Sequence, residues 1–311
     1  MAKKIFTRIL IWVGIMAGLT LLAMVVWTLL FHGSQTTSSL KWLQFLQTIA
    51  TFLIPPILCA WMWDERRHPF RWLKLSCQPS AVSRQNSVVL FLLAVGIMIC
   101  AIPGINLLAD WNSRIQLPKS LDFIEQKMQE MEAAAAALTE RFLQADNIGQ
   151  LLLNIGLLAL LPAFAEELSF RGTLQQIISG ERLSVIGYRT HVAVWVTAIV
   201  FSAIHMQFYG FIPRMLMGAM FGYVFVWTGS LWMPILMHFT NNCVAIIAAF
   251  SVQHSAFSTN IADTIGAGDT WWLGVISILI TSLGLLIFYR RTHIQSHACA
   301  YGCPTVAEQE S

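Results

Sequence analysis

The sequence predicts an all-α, polytopic membrane protein of about eight transmembrane helices with an extracytoplasmic amphipathic helical insertion. Three observations predict it. Of 311 residues, 56% are apolar and only 11% charged, with a mean hydropathy of +0.63, whereas a soluble domain carries about a quarter charged residues. Eight apolar segments approach the ~20 residues that a helix needs to cross a bilayer core of about 30 Å; inside lipid only a helix or a closed barrel satisfies every backbone group. One polar stretch between them repeats its apolar residues at helical spacing. The formal net charge of +3 is too small and too scattered for a nucleic-acid surface. Soluble, disordered, collagenous and nucleic-acid-binding proteins are thereby excluded, and the lipid bilayer is the first partner.

The spans lie near 9–31, 42–63, 88–108, 148–178, 192–209, 215–228, 231–250 and 271–289. They divide the chain into an N-terminal three-span region (1–109), the insertion (110–147), a core of four spans (148–250), a loop with the last span (251–291) and a tail (292–311). Lys3, Lys4 and Arg8 precede a first apolar stretch longer than the h-region of a signal peptide and without an Ala-x-Ala site, so it is expected to be a retained anchor. Twelve Lys and Arg fall on one side of the spans against six on the other, which places both termini in the cytoplasm of a cell with a bacterial-type inner membrane. Cys59, Cys100 and Cys243 lie inside spans, and Cys77, Cys299 and Cys303 in cytoplasmic segments, so no disulfide framework is indicated. In the insertion, Leu121, Ile124, Met128, Met131, Ala135, Leu138 and Phe142 recur at spacings of three and four, predicting one amphipathic helix or a broken pair. Seven acids against four bases between 110 and 146 disfavour anionic lipid, so the helix is expected to pack on its own spans.

The fourth span carries charge in its second half. It contains Pro162-Ala-Phe-Ala-Glu166-Glu167-Leu-Ser-Phe-Arg171, and each charge at bilayer depth costs at least about 2.5 kcal/mol. Glu167 and Arg171 are four apart on a helix, so they face and neutralise each other. Glu166 points about 100° away and has no local partner. It must find one on another helix or be protonated. His205, one turn after Phe201, and His238, one turn before Asn242, lie in later spans at a similar depth.

An acid, two imidazoles and an amide in one layer make a polar site in an apolar setting. Amide hydrolysis needs a base for water, a proton donor for the leaving amine and donors for the oxyanion. Glu166 and His205 could share the first two tasks, and His238 and Asn242 could donate to the oxyanion. Glu166, His205 and His238 could instead bind one zinc ion with a water in the fourth position. The residues alone leave both readings open.

Glu166-Glu167-x-x-x-Arg171, Phe201-x-x-x-His205 and His238-x-x-x-Asn242, in that order on successive spans, resemble the three motifs of the CPBP family. These are the CAAX protease and bacteriocin-processing (Abi) intramembrane endopeptidases, among them the type II CAAX prenyl endopeptidases. The resemblance covers mainly 148–250. It implies an eight-helix membrane fold with the site in a cavity, and an endopeptidase acting on a membrane protein or a lipid-anchored peptide. It implies Glu166 and His205 as the water-activating pair and His238 with Asn242 as oxyanion stabilisers. Glu167, Arg171 and Phe201 remain as supports, and no metal is implied.

Rival readings also have residues behind them. No His-Glu-x-x-His or Gly-x-Ser-x-Gly occurs, Gly266-Ala-Gly-Asp269 reads as a turn, and His293, His297, Cys299 and Cys303 read as a solvated tail. A proton-coupled transporter or channel would use the same intramembrane Glu and His, although the spans show no internal repeat. A non-catalytic scaffold would use the insertion as its docking surface. Nothing in the chain indicates an oligomeric state.

Overall fold

Helices separate in this protein by the prolines that interrupt them and the side chains that fill the gaps. The computed structural model describes residues 2–64, 68–75, 84–180, 187–254 and 264–302. They form α1 (Ala2–Phe31), α2 (Thr37–Trp63), α3 (Arg84–Ser113), the insertion helix α4 (Asp122–Leu143), α5 (Ile148–Ser179), α6 (Tyr188–Ala203), α7 (Phe211–Thr228), α8 (Trp232–His254) and α9 (Trp271–Gly302). No strand is present among the described residues. Seven of these helices are long and apolar enough to cross a membrane, so the protein is a multi-pass membrane protein. Cys77, Cys303, Arg66, Arg67 and Arg182 lie outside the described residues, as does much of the tail; Cys59, Cys100 and Cys243 are free.

The fifth expected span differs. It begins at Tyr188, ends at Ala203 rather than 209, and has 16 residues, about 24 Å of helix. The chain turns at Met206, whose φ of +54° is left-handed, and the next helix starts at once from Phe211 with Pro213 in its first turn. Residues 204–210 form the turn between them, and the sixth span gains 211–214 at its start. At 18 residues it is longer than its expected 215–228.

Proline explains two interhelical hydrogen bonds. Pro56 has no N–H for the carbonyl of Phe52 four residues earlier, and α2 is π-helical over Thr48–Leu53, just before Pro55 and Pro56. The hydroxyl of Ser169 on α5 donates to that Phe52 carbonyl at 3.0 Å. In α3, next to Pro103, the hydroxyl of Ser277 from α9 accepts from the Gly104 N–H at 2.9 Å and donates to the Cys100 carbonyl, taking the place of one rung of the helical ladder.

Three buried clusters hold the bundle. One centres on Leu168, Val194, Ala198, Phe225 and Leu231 between α5, α6, α7 and α8. A second joins α3, α7, α8 and α9 through Met98, Phe221, Met237 and Phe288. The third ties α1 and α2 to α5 and α6 through Trp12, Cys59, Phe170 and Phe201. In lipid such packing acts through van der Waals fit and interhelical hydrogen bonds rather than through release of water.

The insertion is one α-helix after a short 3₁₀ turn at Lys119–Leu121. Its C-terminal end packs on the spans as expected. Phe142 is buried, Gln253 of α8 accepts from Ala145 N–H and donates to the Leu143 carbonyl, and Asn154 of α5 donates to the carbonyls of Leu143 and Gln144. Its start does not pack, since Phe123 is 72% exposed. Gly266-Ala-Gly-Asp269 is a turn, with Gly266 and Gly268 at positive φ.

Candidate active site

The acids stand on the one stretch of α5 that stays α-helical between two π-helical ones. Leu161–Ser169 carries Glu166 and Glu167, with Ile155–Leu160 before it and Phe170–Gln175 after it π-helical. Pro162 supplies the first irregularity, because it cannot close the ladder behind it. A π turn inserts a residue and swings the following face around the axis. From Glu167 to Ile177 the helix is buried without interruption.

Glu167 and Arg171 are both fully buried and meet as the sequence predicts, with Arg171 Nη1 donating to Glu167 Oε1 at 2.6 Å. Arg171 Nη2 donates to the carbonyl of Gly218 on α7 at 2.9 Å, and its guanidinium carbon lies 4.7 Å from the ring centre of Phe201 and 5.4 Å from that of Phe221. One turn on, Gln175 repeats the gesture and donates to the Gly222 carbonyl at 3.1 Å. Two glycines make this approach possible. A Cβ on Gly218 would lie 3.3 Å from Ala198 Cα, and one on Gly222 would lie 2.9 Å from Gln175 Oε1.

His238 joins the two acids. Its Nδ1 donates to Glu167 Oε1 at 2.9 Å, and its Nε2 faces Glu166 Oε2 at 3.9 Å. Phe221 stacks on the imidazole and Phe201 meets it edge-on, with centroids 5.5 and 5.9 Å away. The Glu166 side chain keeps 14% of its surface exposed against none for Glu167, so water can reach Glu166 and not Glu167.

His205 stands beyond the end of α6, beside left-handed Met206. Its Nδ1 lies 2.8 Å from the Phe201 carbonyl. A carbonyl only accepts, so Nδ1 carries the hydrogen and the neutral ring presents the Nε2 lone pair outward. The loop is pinned from α3: buried Asn112 donates to the Phe208 carbonyl at 2.9 Å and accepts from the Ile212 N–H at 3.0 Å. Arg214 is held by Gln207 at 2.6 Å. Asn242, one turn beyond His238 on α8, accepts from Asn241 through Oδ1 at 3.1 Å, which leaves its own amide hydrogens uncommitted among the described residues.

The acid–imidazole contact therefore differs from the expected one. The partner of Glu166 on another helix is His238, and no hydrogen bond or ion pair joins Glu166 to His205 among the described residues. The ring of Phe201 has its centroid 5.2 Å from that of His205 and is edge-on to both imidazoles. Of the trio that zinc would need, Glu166 and His238 approach each other, and among the described residues no three of His, Cys, Asp and Glu are grouped to hold a metal ion. Phe221, Gln175 and Asn112 escaped the sequence reading. The Gly-x-x-x-Gly of Gly218 and Gly222 in an apolar span was the available signal for a close helix contact, and it points to Phe221 between them.

Residues 148–244 match the family model of the type II CAAX prenyl endopeptidase Rce1-like proteins. The match falls on the four-span core that carries all three motifs and stops two residues past Asn242. The uncharacterized protein YpbD of Bacillus subtilis (strain 168) is 33% identical over 95 residues, which are 29% of this chain and 43% of that protein. The chain thus spans less than half the length of this relative. No solved structure matches the chain.

Proposed function

We propose that the protein is an intramembrane endopeptidase that hydrolyses a peptide bond of a membrane-associated, CAAX-type substrate with a water activated at Glu166 and His205. The supporting observation is the asymmetry of two adjacent acids. Glu167 is fully buried and engaged through Oε1 by Arg171 and His238, whereas Glu166 makes no ion pair on its own helix among the described residues, keeps a solvent-reachable face and lies 3.9 Å from the far nitrogen of the same imidazole. That gap is longer than a hydrogen bond, so an oxygen of water or substrate can sit against both groups.

The tautomers favour distinct tasks for the two histidines. His205, with Nδ1–H given to a carbonyl, offers a lone pair and acts with Glu166 as base. Water attacks the carbonyl carbon as its proton passes to the Glu166–His205 pair. His238 is oriented through Nδ1 by the Glu167 carboxylate so that Nε2 points to the developing oxyanion, to which Asn242 Nδ2 donates. Collapse breaks the C–N bond, and the proton returns from Glu166 or His205 to the leaving amine. Phe201 lies edge-on to both imidazoles and fixes their spacing. We further propose that both termini face the cytoplasm of an inner membrane, on the twelve-to-six bias of basic residues.

The purified full chain in proteoliposomes, given a prenylated CAAX-type peptide, tests this. Cleavage by the wild type and its loss in Glu166→Gln and His205→Ala, with unchanged helical circular dichroism, is the expected result. Cleavage that persists in Glu166→Gln overturns the mechanism. A strong chelator in the same assay is expected to leave the rate unchanged; a loss restored by zinc would move Glu166, His205 and His238 to a metal.

A further inference from the structure

A cavity of about 510 Å³ lies where two spans begin. Thr37, Lys41 and Trp42 line it from the first turns of α2, and Gln150, Leu153 and Leu157 from the start of α5. Since both spans enter the membrane here, sequence position reads as depth. From Thr37 to Phe45 is about 12 Å, and from Gln150 to Leu157 about 10 Å. The polar and charged side chains occupy the outer end and Phe45, Leu153 and Leu157 the inner one. Trp42 sits at the outer level, half-exposed, with its ring edge-on to Phe45 at 5.6 Å.

The outer end holds one charge of each sign, and neither is neutralised. Lys41 Nζ donates to Asn154 Oδ1 at 2.7 Å and has no carboxylate within ion-pair distance among the described residues. Asp146 lines the same cavity; its backbone N–H is taken by Gln150 at 2.9 Å, and its carboxylate has no cation partner among the described residues. Two opposite charges at headgroup level that do not pair with each other are a complement to a molecule that carries both.

We propose that this cavity binds one zwitterionic amino-phospholipid, with its phosphate on Lys41, its primary ammonium on Asp146 and an acyl chain along Phe45, Leu153 and Leu157. An anionic lipid without the ammonium leaves Asp146 facing its phosphate. A quaternary ammonium has no N–H to donate to Asp146. The site lies apart from Glu166 and does not depend on the protease reading. Its effect is to anchor the junction where the insertion meets α5, because the same Asn154 that accepts from Lys41 also holds the carbonyls of Leu143 and Gln144.

Native mass spectrometry of the full chain released from micelles, with phosphatidylethanolamine, phosphatidylcholine and phosphatidylglycerol of identical acyl chains, tests the assignment. Phosphatidylethanolamine is expected to be retained about tenfold better than the other two, a typical effect of one charge-assisted contact. Lys41→Gln should lower retention of phosphatidylethanolamine and phosphatidylglycerol together. Asp146→Asn, at an aqueous-facing position with little folding risk, should lower retention of phosphatidylethanolamine and abolish its preference over phosphatidylglycerol. Equal retention of the three lipids by the wild type, or an undiminished preference in Asp146→Asn, overturns the proposal. Displacement of the lipid by tail-free phosphoethanolamine at equal concentration overturns it as well, and assigns the cavity to a soluble phosphate ester.

Discussion

Helices α1 and α5 are both long, apolar and about 30 residues in length, yet they are built for different surroundings. Along α1 the ladder is regular, Leu21, Leu22 and Leu29 are exposed, and space is open around Gly14 and Gly18. Along α5 two π-helical stretches break the ladder, and its polar residues Glu167, Arg171, Thr173 and Gln175 are fully buried. The difference teaches that apolar length finds a span, while irregularity and buried polarity mark the span with work to do.

The contrast can be broken or sharpened by substitution. The largest effect is expected from Glu166→Gln, a loss of about 10⁴-fold in peptide hydrolysis with the fold intact; a residual rate within tenfold of wild type would remove α5's chemical distinction. Arg171→Ala strands Glu167 in the bundle interior and should cost about 3–5 kcal/mol in reversible unfolding from micelles. A loss under about 1 kcal/mol would mean that the pair is not buried in membrane. Asn242→Ala should lower the hydrolytic rate constant about 10²-fold with little change in apparent substrate affinity. Gly218→Val pushes Ala198 and Phe201 of α6 away from α7 and should destabilise by about 1–3 kcal/mol. On the other side of the comparison, Gly14→Ala meets nothing within 4 Å and should raise stability by no more than about 1 kcal/mol; a destabilisation there would show that the Gly14 face of α1 is covered as well as its Trp12 face.

Local periodicity made parts of the site legible. Glu167 and Arg171 are a one-turn pair, so their contact follows from 3.6 residues per turn, and Glu166 had to look elsewhere for the same reason. Which imidazole it would find did not follow. The apolar run to Tyr209 predicts a helix continuing through His205, but the chain reverses at Met206 and is clamped by Asn112 from almost a hundred residues earlier, a tertiary event without local signature. His238 reaches the acids because Gly218 and Gly222 let α7 close in and put Phe221 behind its ring. The insertion helix was legible from its spacing, and its packing only at the end where Phe142 is buried. The π-helical stretches were beyond reach except at Pro162 and Pro55, where a missing donor makes some irregularity unavoidable.

The bond from Ser169 to the Phe52 carbonyl binds the fates of two spans. Remove the hydroxyl and an acceptor is orphaned at a depth where no water stands in; restore an N–H by Pro56→Ala and the serine becomes dispensable. The two positions form a lock with its key on a different helix, set two residues from the buried carboxylate that orients His238. A defect in the second span would thus be felt as a misaligned imidazole in the eighth helix.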